Sequence, residues 1–181
     1  MNQRNIGIYL IAKALGVNFE SFQQDFNQRL IFQKIMYIAF QSKKIDDLSC
    51  QFGLYLRGPY SPELADIGFE ITKSYKTLSS FSLNQYGKEI VKQFRDKLPT
   101  RIGCVFDQTI KKPLDIKILE SFSTLLMLCN NLSLVDTNIL KYKDNILEDF
   151  RRFKGQKFVG DKLLDELFGE VIEFRKPNSK H

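Results

Sequence analysis

The sequence has almost no histidine, and its few cysteines are not arranged for chemistry. The only histidine is His181, and the three cysteines, Cys50, Cys104 and Cys129, are widely spaced without a C-x-x-C pair. A zinc site needs clustered Cys or His ligands, and a Cys-His or Ser-His nucleophile pair needs a histidine that the fold can hold in place. The sequence therefore predicts no metal site, no cofactor and no His-assisted catalysis. The cysteines are expected to be reduced and at least partly buried.

Long apolar runs and low-complexity segments are also absent. The most apolar stretches, Ile6–Leu15 and Phe122–Cys129, are too short to cross a bilayer, and no A-x-A-like cleavage site follows the first. We interpret the N-terminus as an amphipathic helix and expect a cytoplasmic protein without membrane contact. With 181 residues, 43% of them hydrophobic, and no internal repeat, the chain is long enough for one core with a helical extension.

The net positive charge lies in the first two thirds of the chain. Residues 1–60 hold 7 Lys and Arg against 4 Asp and Glu, residues 61–112 hold 9 against 6, and residues 113–181 hold 11 against 11. The formal net charge of +6 is compatible with binding to nucleic acid or another anionic surface. A charge of this size is also common in proteins that bind neither.

Two helices are predicted before residue 42. The first covers about Asn5–Leu15, and the second begins near Asn18 or Ser21 and continues to Gln41. The latter half of the second helix is apolar nearly all round, which is typical of a central, buried helix. Its remaining residues form one stripe at helical spacing: Arg29, Gln33, Lys34, Tyr37 and Gln41.

A short strand and a well-defined helix start follow. Residues 51–57 have apolar side chains at alternate positions, and the Gly-Pro pair at 58–59 predicts a tight turn between this strand and the next helix. That helix is expected to begin at Ser61, because Ser61 can cap it, Pro62 suits its first position and Glu63 favours the positive end of its dipole.

The remaining chain is predicted to be helical. Asn84 can cap a helix that presents Lys88, Lys92 and Arg95 on one side, and the connector Pro99–Pro113 precedes three more helices. These are expected at Leu114–Cys129, Asp136–Phe153 and Gly160–Arg175. The predicted fold is therefore mainly α, with a small winged-helix-like β element. We divide it into a helical domain at 1–112, a C-terminal helical extension at 113–175 and a tail at 176–181.

Two motifs in this chain resemble a known family. RLIFQKIMYIAFQ at 29–41 and FGLYLRGPYSPELADIGFEI at 52–71 are similar to the YwgA-like proteins and, more remotely, to the phage-associated SocA/GepA type, whose shared domain is the Panacea antitoxin domain. Those families show K-L-Q-K-hydrophobic-hydrophobic-Y, then an aromatic strand, then Y-G-P-Y/V-S-x-E-L. The resemblance covers residues 28–98, and Arg57 stands where the family has tyrosine before Gly-Pro.

A weaker resemblance overlaps the first. F-S-L-N-Q-Y-G-K-E-I at 81–90 is similar to the L-T-x-x-G-x-x-hydrophobic segment beside the wing of many winged-helix regulators. Together the resemblances imply a non-catalytic binding module in regulation or in phage- or toxin-related defence. One version is a regulator that binds duplex DNA. The alternative is a protein-binding antitoxin or defence-complex subunit, and a homodimer is also compatible with the sequence.

The candidate binding residues follow from these two versions. Lys88, Lys92 and Arg95 are the nucleic-acid candidates, because three cations in about two helical turns could meet successive phosphates. The candidates for a partner are residues of the polar stripe and of the Gly-Pro segment: Arg29, Gln33, Lys34, Tyr37, Arg57, Tyr60 and Ser61. Each set has a plainer interpretation: a solvated face for the first, and a hydrogen-bonded helix edge with a capped turn for the second.

An enzyme is the less favoured interpretation. A metal-dependent nuclease needs carboxylates and a lysine but no histidine, and Asp115-Ile116-Lys117 has a D-x-K spacing with Asp107 upstream. The D-x-K segment is predicted to enter a helix instead of a β-hairpin, and no Pro-Asp partner accompanies it. We therefore expect no enzymatic activity.

Overall fold

A computed structural model of the chain describes residues 1–42, 45–103, 113–132 and 136–176. Their α-helices are α1 Gln3–Ala14, α2 Phe26–Gln41, α3 Pro62–Lys73, α4 Tyr75–Leu78, α5 Gln85–Lys97, α6 Thr100–Gly103, α7 Pro113–Asn131, α8 Asp136–Ile139, α9 Lys143–Lys154 and α10 Asp161–Arg175. Short 3-10 helices lie at Asp46–Leu48 and Leu140–Tyr142. Strands β1, Gly53–Tyr55, and β2, Gly58–Tyr60, form a two-stranded antiparallel sheet. The prediction of a mainly α chain with a small β element is confirmed.

Two helices, α2 and α7, form the centre of the molecule. Every residue from Leu30 to Phe40 of α2 is buried, and so is every residue from Ile118 to Met127 of α7. The two helices pack against each other, and α7 also packs against α9, α10 and β2. A helix whose apolar residues surround nearly the whole cylinder has to be covered on all sides, which explains the central position of α2. The predicted burial of α2 is confirmed.

One hydrophobic core includes residues from both predicted domains. Buried side chains of α2, such as Ile35 and Met36, belong to the same cluster as Phe122 and Leu125 of α7. The predicted boundary at 112/113 directly follows residues 104–112, which lie outside the described residues. The division into two domains stays a prediction.

Two predicted helix starts are confirmed in detail. Ser61 Oγ accepts a hydrogen bond from the Leu64 backbone N–H at 3.2 Å, and Pro62 occupies the first turn of α3. Asn84 Oδ1 accepts one from the Gly87 N–H at 2.8 Å and so caps α5. Both side chains satisfy backbone donors that have no partner within the helix.

Two helix boundaries differ from the prediction. Helix α2 begins at Phe26 after the cap Asp25, not at Asn18 or Ser21, because residues 18–25 form turns that place Phe19 and Phe22 in an aromatic cluster of the core. The helix predicted over 136–153 is divided into α8, a 3-10 turn and α9. Long-range packing of aromatic side chains overrides the local capping signals in the first case.

The turn of the β element also differs from the prediction. The strand predicted at 51–57 is a hairpin in which Tyr55 pairs with Gly58, so the tight turn consists of Leu56 and Arg57. The Gly-Pro pair belongs to β2, where Pro59 pairs with Leu54. A two-stranded sheet tolerates this proline, because each of its strands has an edge that needs no backbone donor. Glycine at 58 is explained by its backbone φ of +83° and by its position against α7.

Gly58→Ala is expected to destabilise the protein by at least ~2 kcal/mol. The alanine would be strained by the left-handed backbone conformation, and its Cβ would be packed too closely against α7. A Cβ at Gly58 would collide with Thr124 Oγ1, and it would lie 3.7 Å from the Glu120 backbone oxygen. Gly169→Ala is the matched control, because it lies inside α10 and a Cβ added there would have no atom of the described residues within 4 Å other than its chain neighbours and the backbone of its own helix. In chemical denaturation, Gly169→Ala should leave the free energy of unfolding unchanged or raise it. Equal effects of the two substitutions would contradict the close packing of β2 on α7.

Candidate functional site

The two motifs of the family resemblance are joined by hydrogen bonds. Gln33 Nε2 donates to the Ser61 carbonyl at 3.0 Å, and Gln33 Oε1 accepts from the Ser61 N–H at 2.9 Å. The next residue, Lys34, donates from Nζ to the Pro59 carbonyl at 2.6 Å. All of these groups are buried, so the glutamine takes the place of a neighbouring strand for the Ser61 backbone. The two motifs therefore have a structural role, because their residues hold the hairpin and the start of α3 against α2.

A groove opens above this junction, between α2, the hairpin and α3. We call it the hairpin groove, and its cavity volume is about 450 Å³. Its lining residues are Phe22, Phe26, Arg29, Leu30, Gln33, Lys34, Tyr55, Leu56, Arg57, Gly58, Tyr60, Ala65 and Phe69. Four large apolar residues of the lining are exposed: Phe26 (48%), Tyr55 (51%), Leu56 (77%) and Phe69 (40%).

Three of the lining residues are cationic, and none is acidic. Arg29 Nη1 donates to the carbonyls of Phe22 and Gln23 at 3.0 and 2.7 Å, which fixes its guanidinium. The Arg57 guanidinium lies 5.0 Å from the centre of the Phe26 ring, and 59% of its side chain is exposed. Arg57 thus retains access to solvent at the rim of the groove.

A buried ion pair lies behind the groove. Lys154 Nζ, at the end of α9, is 2.5 Å from Glu120 Oε1 and donates to the Leu56 carbonyl at 3.0 Å. The two side chains are only 2% and 4% exposed. The outer oxygen Oε2 of Glu120 is 3.9 Å from Arg57 Nη1. This pair connects α9 and α7 to the turn of the hairpin.

Lys34 is a buried cation without a carboxylate in contact. Its side chain is 2% exposed, and in the described part of the chain its ammonium has one hydrogen-bond acceptor, the Pro59 carbonyl. Burial, and then the positive charge of Lys154, lower the pKa of Lys34 to about 7 against the opposing effect of Glu120. Burial also lowers the pKa of Lys154, although Glu120 opposes this shift. Lys34 can therefore change its protonation near neutral pH.

Most of the predicted partner-binding residues line the groove. Arg29, Gln33, Lys34, Arg57 and Tyr60 are lining residues, whereas Ser61 is fully buried below it. The Ser61 N–H is used by Gln33, so it is not a free amide for an anion.

Tyr37 lies elsewhere along α2. It is 3% exposed, its ring is 5.1 Å from that of Phe52, and its hydroxyl accepts from Asn130 Nδ2 at 3.4 Å. Burial raises the pKa of Tyr37 well above its usual value. Tyr37 thus connects α2 to α7, and binding of a partner by any of the seven residues stays a prediction.

Sequence reasoning missed the apolar part of the groove. Phe26, Tyr55, Leu56 and Phe69 were not selected, because an isolated apolar residue in a sequence looks like a core residue. The sequence of the hairpin turn did contain a signal for this surface. The two-residue loop of a hairpin is normally polar, so an apolar residue at its tip, such as Leu56, indicates a surface with another role.

The predicted nucleic-acid residues lie on a different surface. Lys88, Lys92 and Arg95 are all exposed on α5, whose opposite side buries Val91 and Phe94. Arg95 also has a structural partner, because its Nη2 donates to the Ala14 carbonyl at the end of α1 at 2.7 Å. None of the three lines the hairpin groove. The two predicted sites can therefore be tested separately.

The remaining candidates from the sequence are the cysteines, Asp107 and the aspartate and lysine of the D-x-K segment. Cys129 is buried, and Cys50 is half-buried, with its Sγ accepting from Arg4 Nη2 at 3.1 Å and its pKa raised to about 11 by burial. Cys104 and Asp107 lie outside the described residues. Asp115 and Lys117 lie in α7, as expected for a segment that enters a helix. No described group of three or more His, Cys, Asp or Glu residues could hold a metal ion, and no described helix is long and apolar enough to span a membrane.

Comparisons with protein-family models, with curated proteins and with solved structures give no match to the chain. The geometry thus defines a mainly helical protein with an apolar, cationic groove beside a β-hairpin. Its resemblance to the YwgA-like and Panacea proteins stays a prediction.

Proposed function

We propose that this chain is a non-catalytic binding module that recognises another protein through the hairpin groove. The observation that carries the proposal is the combination, in one groove, of four exposed large apolar residues with two arginines, one lysine and no carboxylate among the lining residues. Regulation or phage- or toxin-related defence is the setting that the family resemblance implies. An antitoxin or a subunit of a defence complex would act by such binding.

The apolar residues supply the physical reason for a protein partner. Large contiguous apolar patches are uncommon on monomers, and aromatic and arginine residues carry much of the binding energy of protein interfaces. In the groove the two kinds of residue are in contact, since the guanidinium groups of Arg29 and Arg57 lie 5.6 and 5.0 Å from the centre of the Phe26 ring. Charge complementarity requires a partner segment that is apolar and carries negative charge.

Leu56→Glu is expected to weaken binding of the native partner at least tenfold. The substitution places a carboxylate at the tip of the groove, where it repels an anionic segment and removes the apolar contact of Leu56, the most exposed large apolar residue of the lining at 77%. Co-purification from the cells that naturally produce the protein identifies the partner, and titration calorimetry with the purified partner measures the loss.

Leu140→Glu is the matched control for this experiment. Leu140 is 56% exposed and precedes α9, whereas the groove contacts the other end of that helix through Lys154. A partner that is retained by Leu140→Glu and lost by Leu56→Glu supports the proposal. A partner that tolerates Leu56→Glu, or a second copy of this chain as the occupant of the groove, contradicts it.

Binding of duplex DNA through α5 is a second candidate function. It is favoured by the exposure of Lys88 and Lys92, one turn apart on a helix whose other side is buried. Phosphate contacts from such a face would be independent of DNA sequence and would weaken as salt rises. Arg95 is the weaker member of the predicted set, because it already donates to the Ala14 carbonyl.

The double substitution Lys88→Glu with Lys92→Glu is expected to lower affinity for duplex DNA at least tenfold, if α5 binds phosphates. Each lost phosphate contact should reduce the slope of log K against log salt by ~0.9. Lys141→Glu with Lys162→Glu changes the net charge equally at two exposed lysines outside α5. No DNA binding by the wild type at low salt, or equal losses in both double variants, would exclude α5 as the site.

A further inference from the structure

The hairpin groove has a cation at its floor whose hydrogen-bonding capacity is not filled. Lys34 lines the groove, is 2% exposed, and donates to a single acceptor of the described residues, the Pro59 carbonyl. An ammonium group has three N–H donors, and a buried charge without a counter-ion is costly. The floor of the groove therefore favours an anion that the described part of the chain does not supply.

The nearest buried carboxylate is already occupied. Glu120 Oε1 is paired with Lys154 at 2.5 Å, and the pair is almost completely shielded from solvent. When Lys34 is protonated, it adds a third positive charge to those of Lys154 and Arg57, and among the described residues the carboxylate that interacts with all three is that of Glu120. An anionic ligand between Lys34 and Arg57 would bring this region closer to neutrality, and it would find donors with little screening by water.

We propose that the hairpin groove receives the C-terminal residue of a partner protein, with the terminal carboxylate on Lys34 and Arg57 and the last side chain against the aromatic walls. This inference rests on the proposed function, because it names the part of the protein partner that the groove recognises. Arg57 supplies accessible N–H donors at the rim, and Phe26, Tyr55 and Phe69 supply the apolar walls.

The shape of the site favours a chain end over an internal acidic residue. Behind the hairpin, Gly58 is packed against Thr124, and the Lys154–Glu120 pair closes the space below Leu56. These contacts bound the groove on the side of α7 and α9. In a terminal residue the carboxylate and the side chain diverge from the same Cα, so that one group can reach the lysine while the other contacts the walls. An internal Asp or Glu has no apolar group on the same side chain to fill a groove of about 450 Å³.

Binding of a carboxylate should also depend on pH. The groups that face Lys34 are Lys154 from α9, Glu120 from α7 and Arg57 from the hairpin, with Arg29 and Tyr60 as further lining residues. Since the pKa of Lys34 is about 7 in the free protein, a bound carboxylate would raise it and cause uptake of a proton above neutral pH. Affinity should therefore fall as the pH rises above 7, by at most tenfold per pH unit.

The test uses two pools of seven-residue peptides that are randomised at the last four positions, one with free carboxyl ends and one with carboxamide ends. Selection on the wild-type protein is expected to enrich acids that end in an apolar residue. The carboxamide form of each selected peptide should bind at least tenfold more weakly. Arg57→Ala, at an exposed position, should weaken the acid but not the amide, whereas Arg152→Ala, 70% exposed on α9, should change neither.

Lys34→Met provides the second variant. It should weaken the preference for the acid and abolish the fall of affinity above pH 7, and its thermal unfolding shows whether it is folded. Selected peptides that bind equally well as acid and amide overturn the inference. So do peptides that tolerate an added C-terminal residue, or that bind Leu56→Glu as well as the wild type. If the native partner is lost with Leu56→Glu but is insensitive to amidation of its terminus, this inference fails while the proposed function stands.

Discussion

Gln33→Leu is expected to reduce the free energy of unfolding by about 2–6 kcal/mol, because it leaves two buried backbone groups without partners at about 1–3 kcal/mol each. Those groups are the N–H and the carbonyl of Ser61, which Gln33 binds at 2.9 and 3.0 Å. Ser61 is fully buried, so water cannot replace the lost amide. The same substitution should loosen the start of α3, and urea denaturation followed by helical circular dichroism measures the effect.

Gln28→Leu is the control for this prediction. Gln28 lies on the same helix, and its Oε1 accepts one hydrogen bond, from the exposed N–H of Asn18 at 2.9 Å. Its replacement should cost less than ~1 kcal/mol, because water can satisfy the exposed donor. A loss for Gln33→Leu no larger than that for Gln28→Leu would mean that Gln33 does not fix the junction between the hairpin and α3.

The stability of the protein should depend on pH through Lys34. Its pKa is lowered from 10.5 in the ordinary side chain to about 7 in the folded protein, chiefly by burial and then by Lys154. Between these two values the unfolded chain binds a proton that the folded chain lacks, so the contribution of Lys34 to stability rises with pH. The slope is at most ~1.4 kcal/mol per pH unit, which amounts to up to ~4 kcal/mol between pH 7 and pH 10. Below pH 7 both states are protonated and the penalty for burying the charge is fully present.

The difference in the free energy of unfolding between the wild type and Lys34→Met, measured as a function of pH, isolates the contribution of Lys34. Other titratable groups occur in both proteins, although Lys154, whose pKa burial lowers, loses its charged neighbour in the variant. Lys34→Met should have the larger free energy of unfolding at pH 6.5, and its difference from the wild type should decrease steadily towards pH 9.5. A constant difference over this interval would show that Lys34 keeps its proton in the folded state.

The sequence predicted the elements that local chemistry determines. Burial of α2 follows from its continuous apolar surface, and the starts of α3 and α5 follow from capping by Ser61 and Asn84. The errors at Phe26 and at the hairpin turn have a different origin, because long-range contacts decide both. Phe19 and Phe22 leave the helical pattern to pack in the core, and Gly58 is needed for contact with α7 and not for a turn before α3.

The candidate site was predicted in part. The polar stripe and the Gly-Pro segment did identify Arg29, Lys34 and Arg57, which line one groove. The sequence could not reveal that Glu120 and Lys154, distant from these residues along the chain, form an ion pair behind that groove. The environment of Lys34 depends on this pair, so its lowered pKa follows only from the three-dimensional arrangement. The exposed apolar walls were missed because an isolated apolar residue in a sequence looks like a core residue.

Photo-crosslinking in the cells that naturally produce the protein tests the central claim most directly. A photoreactive amino acid in place of Leu56, at the tip of the hairpin groove, is compared with the same amino acid in place of Leu140, which lies outside the groove. The proposal predicts that position 56 forms a covalent adduct with a specific protein, that position 140 does not, and that Phe26→Glu removes the adduct. The same adducts at both positions, adducts only with nucleic acid, or an adduct at position 56 that survives Phe26→Glu would contradict a protein-binding function for the groove.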